Sequence, residues 1–265
     1  MDLGLKDRVA IIGGSSRGIG RAIALAFAQE GASVTICART EADLRRTEIE
    51  LARLGSQHHV LAIPADLSVA RDIRRVVRDT INRFGQIGVL VTHIGQSEAG
   101  RPSELDDETI NGAMEHNFLS AVRFAREVVP YMKQQRWGRI IHLLPTQVKQ
   151  APPEGVALAL SGQMALVGYS KMLANELASS NITVNNVLTG PVKTEFFTET
   201  LEAQAGEQGR NVEELLKETS AGIPMKRLGK PEEVGDLVAF LASERAGYLT
   251  GTSVVIDGGR LQTLN

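Results

Sequence analysis

The sequence has little cysteine and no long apolar run. A single cysteine, Cys37, stands among 265 residues, so no internal disulfide can form and a reducing cytoplasm is the simplest compartment. No apolar run approaches the roughly 20 residues that span a bilayer, and residues 1–8 lack the apolar centre of a secretion signal. These absences predict a cytoplasmic protein with no membrane partner.

An excess of one charge is also missing. The 29 Lys and Arg residues nearly balance the 31 Asp and Glu residues, with both signs interspersed. This balance gives no electrostatic reason to expect nucleic acid as a partner. The five histidines show no metal-ligand spacing, which predicts no metal site. No Pro/Gly/Ser-rich linker interrupts the chain, so we expect residues 1–265 to form one domain.

Apolar, strand-like runs alternate with amphipathic helical segments along the chain. The predicted strands are 9–12, 32–38, 59–63, 87–92, 139–144, 183–188 and 253–256. The predicted helices after the first are 41–54, 69–84, 107–134, 155–178, 195–219 and 231–243. Several strands are apolar throughout, which is typical of a parallel sheet buried on both faces. The predicted fold is therefore α/β, a doubly wound parallel sheet of Rossmann type, with its ligand at the carboxyl ends of the strands.

A glycine-rich stretch links the first strand to the first helix. It reads Gly14-Ser15-Ser16-Arg17-Gly18-Ile19-Gly20. Glycine lets the backbone approach a pyrophosphate closely, while the helix N-terminus offers free N–H groups. The position between a buried strand and a helix favours a dinucleotide-binding loop over a chance glycine pattern.

The end of the second strand indicates which dinucleotide binds. NAD-binding folds usually carry an acidic residue about 20 positions beyond the loop, whereas a 2′-phosphate needs cations. Here Arg39 follows the strand with no carboxylate beside it, and Arg17 in the loop is a second cation within reach of the same phosphate. We therefore predict NADP(H) in preference to NAD(H), with two merely solvated arginines as the alternative.

In its glycine loop and in the residues named below, the chain resembles the short-chain dehydrogenase/reductase family, most closely its 3-oxoacyl-carrier-protein-reductase-like members. The resemblance covers essentially the whole length and includes the glycine loop. The other motifs that carry it are Ala65-Asp66-Leu67, Asn117, Trp137-Gly138-Arg139-Ile140-Ile141, Ile182-Thr183-Val184-Asn185, Gly190-Pro191-Val192-Lys193-Thr194, the run 224–234, Tyr248-Leu249-Thr250-Gly251 and Asp257-Gly258-Gly259.

The resemblance implies a set of cofactor contacts, a lid and an assembly. The implied cofactor-binding residues are Gly14, Ser16, Arg17, Gly18, Ile19, Gly20, Arg39, Asp66, Leu67, Gly95, Pro191, Val192 and Thr194. Among them Asp66 would face the adenine, and Val192 and Thr194 the nicotinamide carboxamide. Residues at about 195–222 would form a lid over the nicotinamide end. A homotetramer or homodimer is implied, acting on a small-molecule carbonyl or alcohol.

The reaction centre departs from the family pattern. Relatives use Tyr-x-x-x-Lys, in which the ammonium lowers the pKa of a phenol that donates a proton near neutral pH. Matching the flanking residues places Ala159 at the tyrosine and Gln163 at the lysine. The three tyrosines of the chain, Tyr131, Tyr169 and Tyr248, have no lysine four residues further on. The usual proton donor is therefore missing.

The remaining candidates for the reaction are Asn117, His142, Thr146, Gln163 and His93. Imidazole is the usual group for proton transfer near neutral pH, and both histidines stand near strand ends on the crevice side of the predicted sheet. Thr146, or Pro145 before it, occupies the family's serine position. Asn117 is retained from the family's tetrad, and a bridge from the long helix to the fourth strand is its alternative role.

Three functions stay open at this stage. The first is an NADP(H)-dependent oxidoreductase that takes its proton from a histidine or from a water held by Gln163 and Asn117. The second is an inactive NADP-binding subunit or sensor, and the third a lyase, isomerase or hydratase that uses a histidine. We favour the first because positioning of a bound nicotinamide supplies much of the rate of hydride transfer.

Overall fold

A computed structural model describes residues 2–54, 59–93, 102–150 and 157–263. Within these ranges seven strands form one sheet in the order β3-β2-β1-β4-β5-β6-β7, and all neighbouring strands are parallel. The strands are β1 (Val9–Gly13), β2 (Ser33–Ala38), β3 (Val60–Pro64), β4 (Val89–Thr92), β5 (Gly138–Pro145), β6 (Ile182–Thr189) and β7 (Ser253–Ile256). The predicted doubly wound fold is confirmed.

Helices cover both faces of the sheet. They are α1 (Gly18–Gln29), α2 (Glu41–Leu54), α3 (Ala70–Phe84), α4 (Asp107–Met114), α5 (Ser120–Gln135), α6 (Ala157–Leu177), α7 (Glu195–Gln208), α8 (Val212–Ala221) and α9 (Pro231–Ala242). Ile12 belongs to the core shared with α1, α2 and α9, whereas Ile11 belongs to the core shared with α3, α5 and α6. Successive side chains of a strand point to opposite faces, so β1 contributes to both cores.

Two predicted helices are divided in the structure. The long helix over 107–134 changes at Glu115–Leu119 into a π-helical turn between α4 and α5, and this turn contains Asn117. The insertion over 195–219 forms α7 and α8, because Gly209 takes a left-handed φ of 61° and Asn211 caps the second helix. None of the helices in the described part of the chain combines the length and apolarity that a membrane crossing requires.

Candidate active site

The glycine loop runs from β1 into the first turn of α1 with almost no free space. Gly14 and Gly18 have left-handed φ angles of 66° and 57°. A Cβ on Gly14 would lie 2.2 Å from the carbonyl oxygen of His93, and a Cβ on Gly20 would lie 2.2 Å from the carbonyl oxygen of Gly14. Side chains are excluded at Gly14 and Gly20, and the first N–H groups of α1 have no acceptor within the helix. This cradle fits a pyrophosphate.

Ser15 ties the loop to β2, a role that the sequence reasoning missed. Its buried hydroxyl donates to the carbonyl oxygen of Ile12 at 2.7 Å and accepts from the backbone N–H of Cys37 at 3.0 Å. Thr47 of α2 donates to the carbonyl oxygen of Ser16 at 2.9 Å. These bonds hold the loop before any ligand binds. Only the position of a small hydroxyl directly after a buried strand signalled this role.

The two predicted phosphate-binding arginines differ in their contacts. Arg39 is exposed directly after β2. Arg17 donates from Nη1 to Oε1 of Glu199 on α7 at 2.6 Å. Arg17 therefore already has an anionic partner, and Arg39 follows the strand whose Cys37 carbonyl oxygen accepts from the backbone N–H of Gly14.

Asp66 lies after β3 and makes a tight local turn. Its Oδ1 accepts from the backbone N–H of Ser68 at 3.0 Å and from the Ser68 hydroxyl at 2.7 Å. Partial burial raises the pKa of Asp66, but the Ser68 hydrogen bonds and the charge of Arg39 outweigh it, so the pKa lies below its ordinary value. Asp66 is thus an ionised acceptor near Arg39.

The segment after β6 brings the predicted nicotinamide contacts against the glycine loop. Val192 forms a bridge with Gly229, and Thr194 caps α7 by accepting from the backbone N–H of Phe197 at 3.1 Å. A Cβ on Gly18 would lie 3.2 Å from Cγ2 of Thr194, so two segments that are distant in sequence meet at one place. Of the other predicted contacts, Ile19 and Leu67 are buried, Pro191 is partly buried, and Gly95 lies outside the described residues.

Asn117 and Gln163 are in direct contact. Nε2 of Gln163 donates to Oδ1 of Asn117 at 3.2 Å, and Nδ2 of Asn117 donates to the carbonyl oxygen of Ala113 at 3.0 Å. Ala159 lies one turn before Gln163 on α6 and is 3% exposed. Asn117 therefore connects the π turn to α6, and a methyl group and an amide stand at the positions predicted to match the family's tyrosine and lysine.

His142 lies inside the sheet layer. Its ring is fully buried, its Nδ1 is 2.6 Å from the hydroxyl of Thr92, and its Nε2 has no hydrogen-bond partner among the described residues. Burial lowers the pKa of His142 to about 4, so the ring is neutral at pH 7. A general acid must hold a proton and reach the substrate, so the role predicted for His142 does not fit this position. The physical reason is depth, because β5 continues three residues beyond His142.

His93 and Thr146 lie at the carboxyl edge of the sheet. His93 follows β4 directly, and its carbonyl oxygen abuts the glycine loop. Thr146 opens the short 3-10 turn Thr146–Val148 after β5 and is 6% exposed. Within the described ranges no group of three or more His, Cys, Asp and Glu side chains is arranged to hold a metal ion. His93 and Thr146 therefore lie at this edge, and the Asn117–Gln163 pair joins the π turn to α6.

Comparison with known proteins shows similarity along nearly the whole chain. A family model described as enoyl-(acyl carrier protein) reductase matches residues 14–260. The uncharacterized oxidoreductase YvrD of Bacillus subtilis is 32% identical over 268 residues, which cover 100% of both chains. A putative ketoacyl reductase of the monensin polyketide synthase from Streptomyces virginiae is 33% identical and covers 96% of this chain and 97% of its own.

Solved structures with the same architecture hold a nicotinamide cofactor. The L-sorbose reductase from Gluconobacter frateurii, complexed with NADPH and L-sorbose, matches with a TM-score of 0.94 at 33% identity over 100% of both chains. A point variant of the actinorhodin polyketide ketoreductase with NADPH matches with a TM-score of 0.90 at 30% identity over 97% of this chain and 98% of that one. Together with the parallel sheet and the glycine cradle, these matches show that the chain belongs to the short-chain dehydrogenase/reductase family.

Proposed function

We propose that this protein is an NADP(H)-dependent oxidoreductase that reduces a carbonyl group or oxidises an alcohol on a small molecule. The observation that carries the proposal is the cradle at Gly14, Gly18 and Gly20, where a Cβ on Gly14 or Gly20 would overlap backbone atoms. Arg17 belongs to the same loop, and Arg39 follows β2 directly. Two relatives of the same architecture hold NADPH, which supports this choice of cofactor.

In this proposal each part of the cradle has one task. The dinucleotide supplies the hydride when it is bound. The backbone N–H groups at the start of α1 hold the pyrophosphate, and Arg39 and Arg17 hold the 2′-phosphate. Asp66 faces the adenine, while Val192 and Thr194 orient the nicotinamide carboxamide. The helices over 195–221 cover the nicotinamide end as a lid.

For the proton, we infer that the Asn117–Gln163 amide pair holds a water at the place of the missing phenol. Two amides orient a water but, unlike an ammonium beside a phenol, do not make it a stronger acid. His93 and the Thr146 hydroxyl also carry an exchangeable proton at this edge, although burial lowers the pKa of His93. Ketone reduction by the natural protein is therefore expected to be slow.

Rebuilding the family pair tests this mechanism. The double variant Ala159→Tyr with Gln163→Lys is expected to increase kcat/KM for NADPH-dependent reduction of simple ketones at least about tenfold, because a positioned general acid contributes typically 10²–10⁴-fold. The measurement is NADPH absorbance over a panel of carbonyl compounds. The matched control is Gln163→Lys alone, which adds the cation without the phenol and is expected to gain nothing.

The same panel separates the enzyme from its alternative. The methyl and amide at positions 159 and 163 favour, as a second candidate, an NADP-binding subunit without turnover. Wild-type protein that binds NADPH tightly yet reduces no compound of the panel would establish that candidate. A wild-type rate equal to that of the double variant would instead show that a strong proton donor is already present.

Arg39 is expected to set the preference for NADP(H). In Arg39→Ala the dissociation constant for NADPH should rise about 10- to 100-fold, since a charge-assisted hydrogen bond contributes about 1.5–3 kcal/mol, whereas the constant for NADH should stay unchanged. Fluorescence titration measures both. Arg78→Ala on α3, an exposed arginine that pairs with Asp79, is the control. Equal wild-type affinities for NADPH and NADH would overturn the cofactor assignment.

Homo-oligomeric assembly also belongs to the proposal. We propose a homotetramer or homodimer in the cytoplasm, with residues 1–265 folded as one domain. Light scattering of the purified protein after size-exclusion chromatography measures the assembly, and a monomer at micromolar concentration would contradict it.

A further inference from the structure

Arg17 and Glu199 join the glycine loop to α7. The bond from Nη1 of Arg17 to Oε1 of Glu199 is 2.6 Å long, and the two side chains are 44% and 56% exposed. Its partners are 182 positions apart in the chain. The contact between Gly18 and Thr194 lies beside it, so α7 touches the loop at two neighbouring points. One of these points is an ion pair that involves a proposed phosphate ligand.

The surroundings of Glu199 are strongly acidic. Helix α7 carries Glu195, Glu199, Glu202 and Glu207 and no basic residue. Three carboxylates, those of Glu195, Glu199 and Glu232, line one cleft of about 540 Å³ that also borders Gly18 and Thr194. Two cations, Arg21 and Lys193, line it as well, so the carboxylates are in excess. A phosphate dianion that approaches Arg17 from this side meets like charge, which opposes its binding.

Arg21, the arginine that lines this cleft, is already paired with a carboxylate. Arg21 donates from Nε and Nη2 to both carboxylate oxygens of Glu50, at 2.8 and 2.6 Å. A two-pronged pair of this kind is the stronger geometry for an arginine and a carboxylate. The Arg17 pair has a single bond and is half exposed, so Arg17 is the cation that exchanges partners more readily.

We propose that Glu199 competes with the 2′-phosphate of the dinucleotide for Arg17 and thereby weakens the preference for NADP(H) over NAD(H). The inference rests on the proposed function, because it requires NADP(H) at the glycine loop. Binding then replaces one carboxylate with one phosphate at the same guanidinium. Glu199 thus acts as a specificity-determining residue although it belongs to the lid and not to the loop.

The test compares Glu199→Gln with Glu202→Gln. Both variants remove one exposed carboxylate from α7, but no ion pair of Glu202 occurs among the described residues. In Glu199→Gln the dissociation constant for NADPH should fall about two- to fivefold at low ionic strength, the range expected from freeing one exposed ion pair. The constant for NADH should not change. Isothermal titration with NADPH, NADH, 2′,5′-ADP and ADP measures the effect without any turnover.

Two further measurements locate the effect at Arg17. The gain in NADPH affinity should disappear when Glu199→Gln is combined with Arg17→Ala, because the guanidinium for which Glu199 competes is then gone. It should also shrink in about 0.5 M NaCl, since salt screens exposed charges. A gain in NADPH affinity that persists in the Arg17→Ala background would overturn the proposal.

The outcomes also separate this inference from the function on which it rests. The proposed competition with the 2′-phosphate is wrong if Glu202→Gln increases the affinity for NADPH as much as Glu199→Gln does. It is also wrong if Glu199→Gln increases the affinity for NADH as much as that for NADPH. If wild-type protein binds NADPH and Glu199→Gln binds it no better, the competition fails while the proposed function stands. If wild-type protein binds neither NADPH nor NADH, the proposed function itself fails.

Discussion

Replacing Gly20 by alanine is expected to raise the dissociation constant for NADPH about 10- to 100-fold. The new Cβ would lie 2.2 Å from the carbonyl oxygen of Gly14 and 2.8 Å from its carbonyl carbon. Backbone atoms cannot yield as a flexible side chain does, so the loop and the first turn of α1 must separate. Overpacking of this kind costs about 1–3 kcal/mol and displaces the N–H groups that we propose hold the pyrophosphate. Isothermal titration measures the constant, and circular dichroism shows that the variant is folded.

Gly168→Ala and Gly206→Ala are the matched controls for Gly20→Ala. Both glycines lie in helices, and a Cβ on either would meet no atom within 4 Å. Alanine is favoured over glycine inside a helix, so both controls should fold and bind NADPH like the wild type. If Gly20→Ala proves unfolded, Gly18→Ala provides a milder change, because its Cβ contact is with the Thr194 side chain at 3.2 Å. Unchanged NADPH affinity in a folded Gly20→Ala protein would mean that the loop does not hold the dinucleotide.

A second large effect is expected in acid, from His142. Burial lowers the pKa of His142 to about 4, whereas a histidine in the unfolded chain titrates near 6.5. Well above pH 6.5 the ring is neutral in both states and contributes no pH dependence. As the pH falls from about 6.5 to 4, the unfolded chain binds a proton that the folded protein excludes. The free energy of unfolding should therefore decrease by about 3 kcal/mol through this residue alone by pH 4.

Urea denaturation between pH 7 and pH 4 checks this expectation. The variant His142→Phe is less stable than wild type at pH 7, because the Thr92 hydroxyl loses its partner. Its free energy of unfolding should nevertheless decrease less steeply with acidification, since the buried imidazole is gone. If the free energy of unfolding has the same pH dependence in the variant and the wild type, His142 does not take up a proton on unfolding between pH 7 and pH 4.

The elements of the fold followed closely from the pattern of residues. The helix expected over 41–54 and the strand expected over 253–256 have the bounds found in the structure. Both were defined by local signals, namely periodicity and flanking polar residues. The break of the 195–219 insertion at Gly209 also had a local signal, a glycine followed by an asparagine cap, which the sequence reasoning did not use.

The candidate site was less accessible to such reasoning. The glycine loop and the absence of Tyr-x-x-x-Lys were visible in the residue order. The burial of His142 was not visible in the residue order, because a strand pattern does not tell how far a residue lies below the open edge of the sheet. The contact of Gln163 with Asn117 depends on how α6 packs against a π turn, and the sequence predicted only a regular helix there.

By itself, the sequence determined the alternation of strands and helices and the absence of Tyr-x-x-x-Lys, and it predicted the place of the dinucleotide loop. Each of these depends on residues that are close together in the chain or on which residue types are present at all. Only the tertiary structure decided that Arg17 faces Glu199, that His142 is buried and neutral, and that the amides of Asn117 and Gln163 meet. Ion pairing and burial depend on elements that are distant in sequence and adjacent in space, so no local pattern encodes them.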